Sequence, residues 1–388
     1  MSARNIITSL YPCYISQLLI GCAPIKITEI RSNLQIKHRR VYDYSTILIL
    51  LLIISFIYYR YSLMDFYDFN SSALVKFMTT VYFVIVSGLI STNVIYSRVQ
   101  RQVMTQFLYK IYTVDKKMRN IGIKLKYENI QYFSTKVLLT GFATFTIYLI
   151  CLLTTQGFQN RIQGLITYGL LYLAVLHYIS STCSFMTTIQ IITNMAENLM
   201  KKTEDLLIYK SFYRQIPLRE MMKLHQEIYD LLQLSTKIFA AQVLFSFSVA
   251  FVIITFQSFS IICAVYNNSP YLRYSIASAI WIVVFVTEKM VLTFSCHKCM
   301  FRSIELRQKL GKYAVAHSKN KLLVKEINAF GLQLLHEPLH IYAGSMFLID
   351  LPIFTSVCGT ATTYIILLLQ TDHKVDLIYS MKKVFGVF

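Results

Sequence analysis

Seven apolar runs divide the 388-residue chain, and most are long enough to cross the ~30 Å hydrocarbon core of a bilayer as helices. Hydrophobic residues make up 55% of the chain and charged residues only 15%, a balance that soluble domains do not show. The chain is therefore predicted to be an all-α membrane protein with seven transmembrane helices. The runs lie at about 44–59, 73–96, 136–156, 163–193, 237–266, 274–295 and 350–370.

Basic residues are concentrated on one side of these runs. Of the 38 Lys and Arg residues, 30 lie in the segment before the first run and in the segments after every second run. Because basic segments stay in the cytoplasm, this distribution predicts an intracellular N-terminus and an extracellular C-terminus. A G-protein-coupled receptor, one of the alternatives, has the opposite orientation. The net charge of +19 then faces anionic lipid headgroups, and no nucleic-acid partner is expected.

Three of the four predicted cytoplasmic segments are long, at about 40 to 55 residues, and few Gly or Pro residues interrupt them. In residues 195–237 and 304–335 apolar residues recur at helical spacing, the pattern of a helix that buries one face. We therefore expect the transmembrane helices to continue into the cytoplasm and to pack there as a bundle. Amphipathic loops on the membrane surface are the alternative. The start of the chain, where Leu19-Ile20-Gly21-Cys22 is similar to a lipoprotein cleavage site, is predicted to skirt the membrane rather than to be a cleaved signal peptide.

Residues 336–340, His-Glu-Pro-Leu-His, match the H-E-x-x-H pattern of zinc proteases. That pattern works because two His residues four apart share one helix face. Pro338 opposes this geometry, since a proline inside a helix clashes with the carbonyl four residues earlier. A helix is predicted to restart at Pro338 and to leave His336 outside it, and no third ligand follows. Neither enzymatic activity nor a metal or cofactor is expected, with an intramembrane zinc protease kept as an alternative.

Two further features of the sixth run carry chemistry. Cys296 and Cys299 form a C-x-x-C without a second pair, so packing as small apolar side chains is predicted. Glu288 and Lys289 lie within the run, where ionisable groups are rare. Because they are adjacent, they are expected to point in different directions and not to pair with each other. A polar contact in a cavity or at a helix interface, and a Lys289 side chain that extends toward the inner membrane surface, remain equal alternatives.

The outward halves of the third to sixth runs are rich in aromatic, hydroxyl and amide side chains. Such a combination is typical of a pocket for a small organic ligand, although Tyr also favours membrane interfaces without any ligand. The predicted pocket residues are Tyr148, Gln156, Thr167, Tyr168, Tyr172, Gln257, Ser278 and Trp281.

The last run carries the most specific pattern: Thr363-Tyr364, then five aliphatic residues and Gln370. This pattern resembles the C-terminal signature of insect gustatory receptors, in which Phe usually follows the Gln; here Thr371 takes that place. The opening from residue 10 to residue 24 is similar to that family's opening. The spacing of Asp350-Leu-Pro resembles the expanded, mostly bitter-type branch of moths and butterflies.

The resemblance implies a tetrameric, ligand-gated cation channel whose last span lines a central pore and whose cytoplasmic helices make most contacts between subunits. It also implies a small tastant as ligand, a bitter plant metabolite in this branch. Sugar-sensing and odorant-type receptors of the same fold are alternatives. A sugar pocket, however, would need more carboxylates and amides than these runs contain.

On a helix, one face of the last run would carry the candidate pore residues. Aliphatic rings would form a hydrophobic gate, a Gln ring would follow toward the outside, and the carboxylates of the residue beyond would concentrate cations at the outer mouth. A lipid-facing helix is the alternative. The candidate pore residues are Thr363, Ile366, Leu367, Gln370 and Asp372.

The expected organisation is a multi-pass plasma-membrane protein with one membrane domain. Its partners are membrane lipid, cations, a small-molecule tastant and three further copies of the chain, with a heteromer of related receptors as the alternative. Glycosylation of the sequons at Asn70 and Asn267, both in predicted outer segments, stays open. The predicted parts are a cytoplasmic N-terminal segment (1–43), helices 1–6 with their cytoplasmic extensions (44–295), cytoplasmic anchor helices (296–349), a pore-lining helix (350–371) and an extracellular tail (372–388).

Overall fold

A computed structural model places most of the chain in helices, which confirms the mainly helical fold class. Nearly all of the first predicted span, most of the second and both sequons lie outside the described residues. The structure describes residues 6–19, 25–30, 33–38, 51, 55, 84–85, 87–88, 91–155, 161–208, 216–266 and 272–385. Its elements are α1 (Ile6–Ser9), α2 (Tyr11–Leu19), β1 (Ile25–Ile30), β2 (Asn33–His38), α3 (Arg101–Asn120), α4 (Tyr127–Thr155), α5 (Arg161–Ile208), α6 (Ile216–Tyr266), α7 (Leu272–Ala316), α8 (Lys321–His336), β3 (Tyr342–Ala343), β4 (Phe347–Leu348) and α9 (Leu351–Phe385).

The helices α5, α6 and α7 are much longer than a membrane is thick. They contain 48, 51 and 45 residues, and at ~1.5 Å per residue each is about 70 Å long against ~30 Å of hydrocarbon. The predicted spans therefore continue as unbroken helices beyond the bilayer. Within the described residues, three stretches contain an apolar window long enough to cross a membrane: Leu218–Ile262, Ser278–Ala316 and Leu351–Thr371. The first two contain 45 and 39 residues and exceed the length of one crossing, so part of each lies in the extension.

The largest core lies at the end where these extensions pack, and it has the predicted form of a helical bundle. There α3 and α8 contact the extended parts of the long helices. The apolar residues of α8 recur every three or four positions, which places them on one face. That face is buried, and its residues are Leu323, Ile327, Phe330 and Leu334. Because the buried faces come from several helices, burial rather than helix propensity holds this end together.

Helix ends in this bundle follow ordinary capping chemistry. Residue Gly122, after α3, has a positive φ of 83°, and the N–H of Ile123 donates to the carbonyl of Met118, as in a Schellman motif. At the start of α9 the side chain of Asp350 accepts the backbone N–H of Ile353 at 3.2 Å, the interaction of an N-cap residue. The Asp-Leu-Pro motif is therefore a helix-start signal, with the proline in the first turn, where its missing N–H costs nothing.

Three features differ from the sequence-based expectations. The fold is not purely helical, because β1 pairs with β2 and β3 pairs with β4 in two antiparallel hairpins. The segment predicted as an extracellular tail is helical as far as Phe385, since α9 runs on without a break. The N-terminal α2 packs against α4 and α5 instead of only skirting the membrane: Ser16 lies 2.8 Å from Ser180, and Gln17 donates to Ser184 at 2.8 Å.

Candidate functional site

The predicted ligand pocket falls partly on the described side chains. Of its members, Gln257 and Ser278 are partly buried and Trp281 is buried. The other five residues lie outside the part of the chain whose side chains the structure describes: Tyr148, Gln156, Thr167, Tyr168 and Tyr172. The pocket as a whole therefore stays a prediction, and Trp281 is the member around which a local arrangement is visible.

Trp281 lies in a cluster of four aromatic rings from α4, α5 and α7, called here the aromatic cluster. Its indole is 5.8 Å from the ring of Phe145 and 4.8 Å from that of Phe285. The ring of Tyr178 follows, 5.3 Å from Phe285. Tilted and edge-to-face pairs at such distances are favourable beyond the area they bury. Trp281 and Phe285 are four residues apart on one helix face, a spacing from which the partner of Trp281 was predictable; Phe145 and Tyr178 carry no such signal.

A buried charged group adjoins the aromatic cluster and joins α5, α6 and α7. Only 2% of Lys289 is exposed, and its Nζ lies 2.8 Å from Oε2 of Glu288 and 2.7 Å from Oη of Tyr178. The ammonium also donates to the hydroxyl of Ser246. The hydroxyl of Tyr178 in turn donates to Oε2 of Glu288 at 2.5 Å. These four residues are called here the Lys289 cluster.

The Lys289 cluster corrects one expectation and settles another. The prediction that adjacent Glu288 and Lys289 cannot pair is wrong, because both side chains are long enough to turn toward the same hydroxyl of Tyr178 on the neighbouring helix. Lys289 makes a buried polar contact and does not reach toward the interface. Its ammonium also lies over the rings of Tyr178 and Phe247, at 5.1 and 5.2 Å, so hydrogen bonds, the ion pair and cation–π contacts offset its desolvation.

The predicted pore residues lie on the unpaired side of α9. Ile366 and Leu367 are about half exposed, at 51% and 49%, and Thr363 and Gln370 are exposed as well. Ala361 is buried at 2% exposure. At ~100° per residue, Gln370 lies roughly 180° around the helix from Ala361, so the predicted pore face is opposite the face that packs on the rest of the chain. The side chain of Asp372 lies outside the described residues.

The zinc-protease pattern does not form its metal geometry. His336 is the last residue of α8, and the segment from Glu337 to His340 is not helical. The prediction that a helix restarts at Pro338 is wrong: the helix ends before it, because a residue followed by proline is disfavoured in the α conformation. Among the described residues, no group of three or more His, Cys, Asp or Glu side chains is placed to hold a metal ion.

Cys296 and Cys299 are both buried within α7 and belong to the core at the bundle end. The prediction that they pack as small apolar side chains is confirmed.

A small cavity of about 30 Å³ lies at the meeting point of α2, residues 91–100, α3, α5 and α6. Gln17, His177 and Gln242 line it together with Asn93, whose side-chain amide has no hydrogen-bond partner among the described residues. Pockets for small organic ligands measure roughly 300 to 1,000 Å³, so this cavity has room for about one water molecule. It is not the predicted ligand pocket.

Long apolar helices that extend into a packed bundle, with a final apolar helix exposed on one whole face, define a polytopic helical membrane protein. The chain belongs to the 7tm chemosensory receptor family, which it matches over residues 10–374. Membership of a receptor family agrees with the prediction that the protein is not an enzyme.

Relatives and solved structures agree with this assignment. The chain is 24% identical to the putative gustatory receptor 28b of Drosophila melanogaster, over 74% of this chain and 68% of that protein. Its fold is similar to that of the insect olfactory receptor OR5 from Machilis hrabei, with a TM-score of 0.71 at 11% identity over 93% of this chain and 97% of the other. The same receptor in complex with eugenol gives a TM-score of 0.68 at 13% identity, over 94% and 98% of the two chains. The resemblance to insect gustatory receptors is thereby confirmed at the level of the family.

Proposed function

We propose that this chain is a gustatory receptor that acts as a ligand-gated, non-selective cation channel. The observation that carries the proposal is the last helix, whose polar and aliphatic face of Thr363, Ile366, Leu367 and Gln370 has no partner within the described chain. Four copies around an axis beside that face would cover it. The protein then lies in the plasma membrane with its N-terminus in the cytoplasm, as the basic segments favour.

In such a tetramer the aliphatic side chains of Ile366 and Leu367 form rings that exclude water when they are close together. Hydrophobic constrictions of this kind close a pore by dewetting, and a polar ring beside them sets conduction. Gln370 supplies the polar ring, and Asp372 supplies carboxylates that attract cations. Thr371, smaller than the Phe usual at this position, leaves the outer end of the constriction wider.

The ligand is a small organic tastant of low polarity, and we favour a bitter plant metabolite. The aromatic cluster around Trp281 offers apolar ring faces, and Gln257 and Ser278 add polar groups. An olfactory receptor of the same fold was solved with eugenol, which supports a small organic ligand here.

The pore assignment is tested by single-channel recording from cells that express the receptor alone. Ile366→Ala and Gln370→Ala are each expected to change the conductance or the relative permeability to cations, because both side chains would face the conduction path. Val283→Ala is the matched control for Ile366→Ala, since Val283 is also an exposed apolar residue but lies on α7. Unchanged single-channel properties in both pore variants would show that this face meets lipid.

The orientation has a separate test. An epitope tag at the N-terminus should bind antibody only after the cells are permeabilised. Labelling of intact cells would contradict the proposed orientation and would favour a G-protein-coupled receptor.

A further inference from the structure

The Lys289 cluster and the aromatic cluster share one residue, Tyr178. Its ring packs on Phe285 in the aromatic cluster, and its hydroxyl accepts from Lys289 and donates to Glu288. A displacement of the rings therefore moves the one hydroxyl that both charges share. Because a buried charge that loses its partner is strongly destabilised, the charges must follow that hydroxyl or the arrangement must change as a whole.

The same cluster is connected to the start of the last helix through α6. Ser246 accepts from Lys289, and the next residue, Phe247, has one side of its ring near the ammonium. The ring of Phe247 also meets that of Phe347 edge-on at 5.5 Å. Phe347 lies in β4, three residues before Asp350, which caps α9.

Two further contacts place α6 against the segment that leads into the pore helix. Gly344, in the turn of the β3–β4 hairpin, is so close to α6 that an added Cβ would lie 3.7 Å from the side chain of Leu244. One turn beyond Phe247, the ring of Phe251 meets that of Tyr364 on α9 at 5.6 Å. One face of α6 thus contacts the hairpin and α9, while Ser246 on another face belongs to the Lys289 cluster.

We propose that the Lys289 cluster is the coupling element between the aromatic cluster and the last helix. It fixes the rotation of α6 at which Phe247 holds the β3–β4 hairpin, and so keeps the start of α9 in its resting position. Lys289 and Tyr178 are positioning residues in this scheme and not parts of the pore. The proposal rests on the proposed channel function. Its structural part, that the Lys289 cluster holds the β3–β4 hairpin, can be tested without measuring a cation current.

The structural half is tested by amide hydrogen exchange of the purified receptor without ligand. Two hydrogen bonds report on the hairpin: the N–H of Met346 to the carbonyl of Ala343, and the N–H of Ile349 to the carbonyl of Ile341. Lys289→Met is expected to raise exchange at these two amides about tenfold, while exchange in α8 stays as in the wild type. Tyr178→Phe removes only the hydroxyl and is expected to raise exchange at the same amides. This milder variant keeps the test valid if Lys289→Met misfolds.

The matched control is Lys312→Met, at an exposed position of the same helix α7, and it should leave exchange at the hairpin unchanged. Hairpin exchange equal to the wild type in Tyr178→Phe would overturn the proposal. An equal rise throughout the chain would also overturn it, because the cluster would then serve stability alone.

The functional half is measured as cation current without ligand in cells that express each variant. A loosened hairpin should raise this basal current severalfold in Tyr178→Phe and not in Lys312→Met. A basal current in Tyr178→Phe equal to that of the wild type, from a wild-type channel that does conduct, would overturn the coupling role. If no variant and no wild-type receptor conducts, the proposed channel function fails, and the exchange experiment still decides whether the cluster holds the hairpin.

Discussion

Replacing His225 with Leu is expected to remove the part of the acid sensitivity of the helical bundle that this buried side chain causes. His225 lies on the extended part of α6, is 2% exposed and meets Phe330 edge-on at 6.1 Å. Neither of its ring nitrogens has a hydrogen-bond partner among the described residues. Burial without a partner lowers the pKa of His225 from 6.5 to about 4.

The magnitude follows from the two pKa values. At pH values between these two pKa values, His225 binds a proton in the unfolded chain but not in the folded chain. The free energy of unfolding therefore has its full value above pH ~6.5 and falls as the pH drops toward 4. At ~1.36 kcal/mol for each unit of difference, the full loss is about 3 kcal/mol, of which about 2 kcal/mol has developed at pH 5. At neutral pH, Leu should be at least as stable as His225, because it removes two unsatisfied nitrogens from the core.

The assay is thermal unfolding of the detergent-purified protein near pH 7.5 and near pH 5. Between these conditions the wild type should lose about 2 kcal/mol more than His225→Leu, which corresponds to a Tm difference of a few degrees. His317→Leu, at a half-buried His near the end of α7, is the control and should keep the pH dependence of the wild type. The reasoning is refuted if His225→Leu and the wild type lose the same stability on acidification.

Three further substitutions follow from contacts in the helices, and all three are read as unfolding free energies. Tyr127→Phe removes a 2.8 Å hydrogen bond to Asp115, a carboxylate with 0% exposure, and should cost about 1.5 to 3 kcal/mol; a loss below ~0.5 kcal/mol would mean that this bond contributes little. Gly141→Ala would place a Cβ 2.7 Å from Ile179 and should destabilise by about 1 kcal/mol net. Gly331→Ala, with open space around it, should instead stabilise by about 0.5 to 1 kcal/mol, and equal effects at the two glycines would contradict the packing argument.

The predictions that were confirmed rest on local patterns. Apolar periodicity in residues 195–237 and 304–335 predicted helices and their buried faces, because side chains three or four apart in sequence must share a helix face. The same argument placed Thr363 and Gln370 together on α9. Within the second of these ranges the prediction was less complete, because the boundary between α7 and α8 at residues 317–320 was not specified.

The predictions that were wrong needed information from a second helix. The argument that adjacent Glu288 and Lys289 point apart considered α7 alone, and the hydroxyl that brings them together belongs to Tyr178 on α5. The β3–β4 hairpin was missed for a similar reason, since each of its strands is only two residues long and its pairing is supported by contacts with α6. Pro338 correctly indicated a helix boundary. The local effect of a proline, however, does not determine whether the helix lies before it, as observed, or after it, as predicted.

The sequence by itself determined the class of the protein. Insertion into a membrane depends on the summed hydrophobicity of each segment, and orientation depends on the number of basic residues between segments, so both can be counted along the chain. It also determined the face of α9 on which Ile366 and Gln370 lie, since helical geometry alone places them there. Only the tertiary structure decided which side chains satisfy the buried charge of Lys289 and how α6 contacts the start of α9. Apart from the adjacent Glu288, those contacts join residues more than forty positions apart, and their free energy depends on distance and burial in three dimensions rather than on order along the chain.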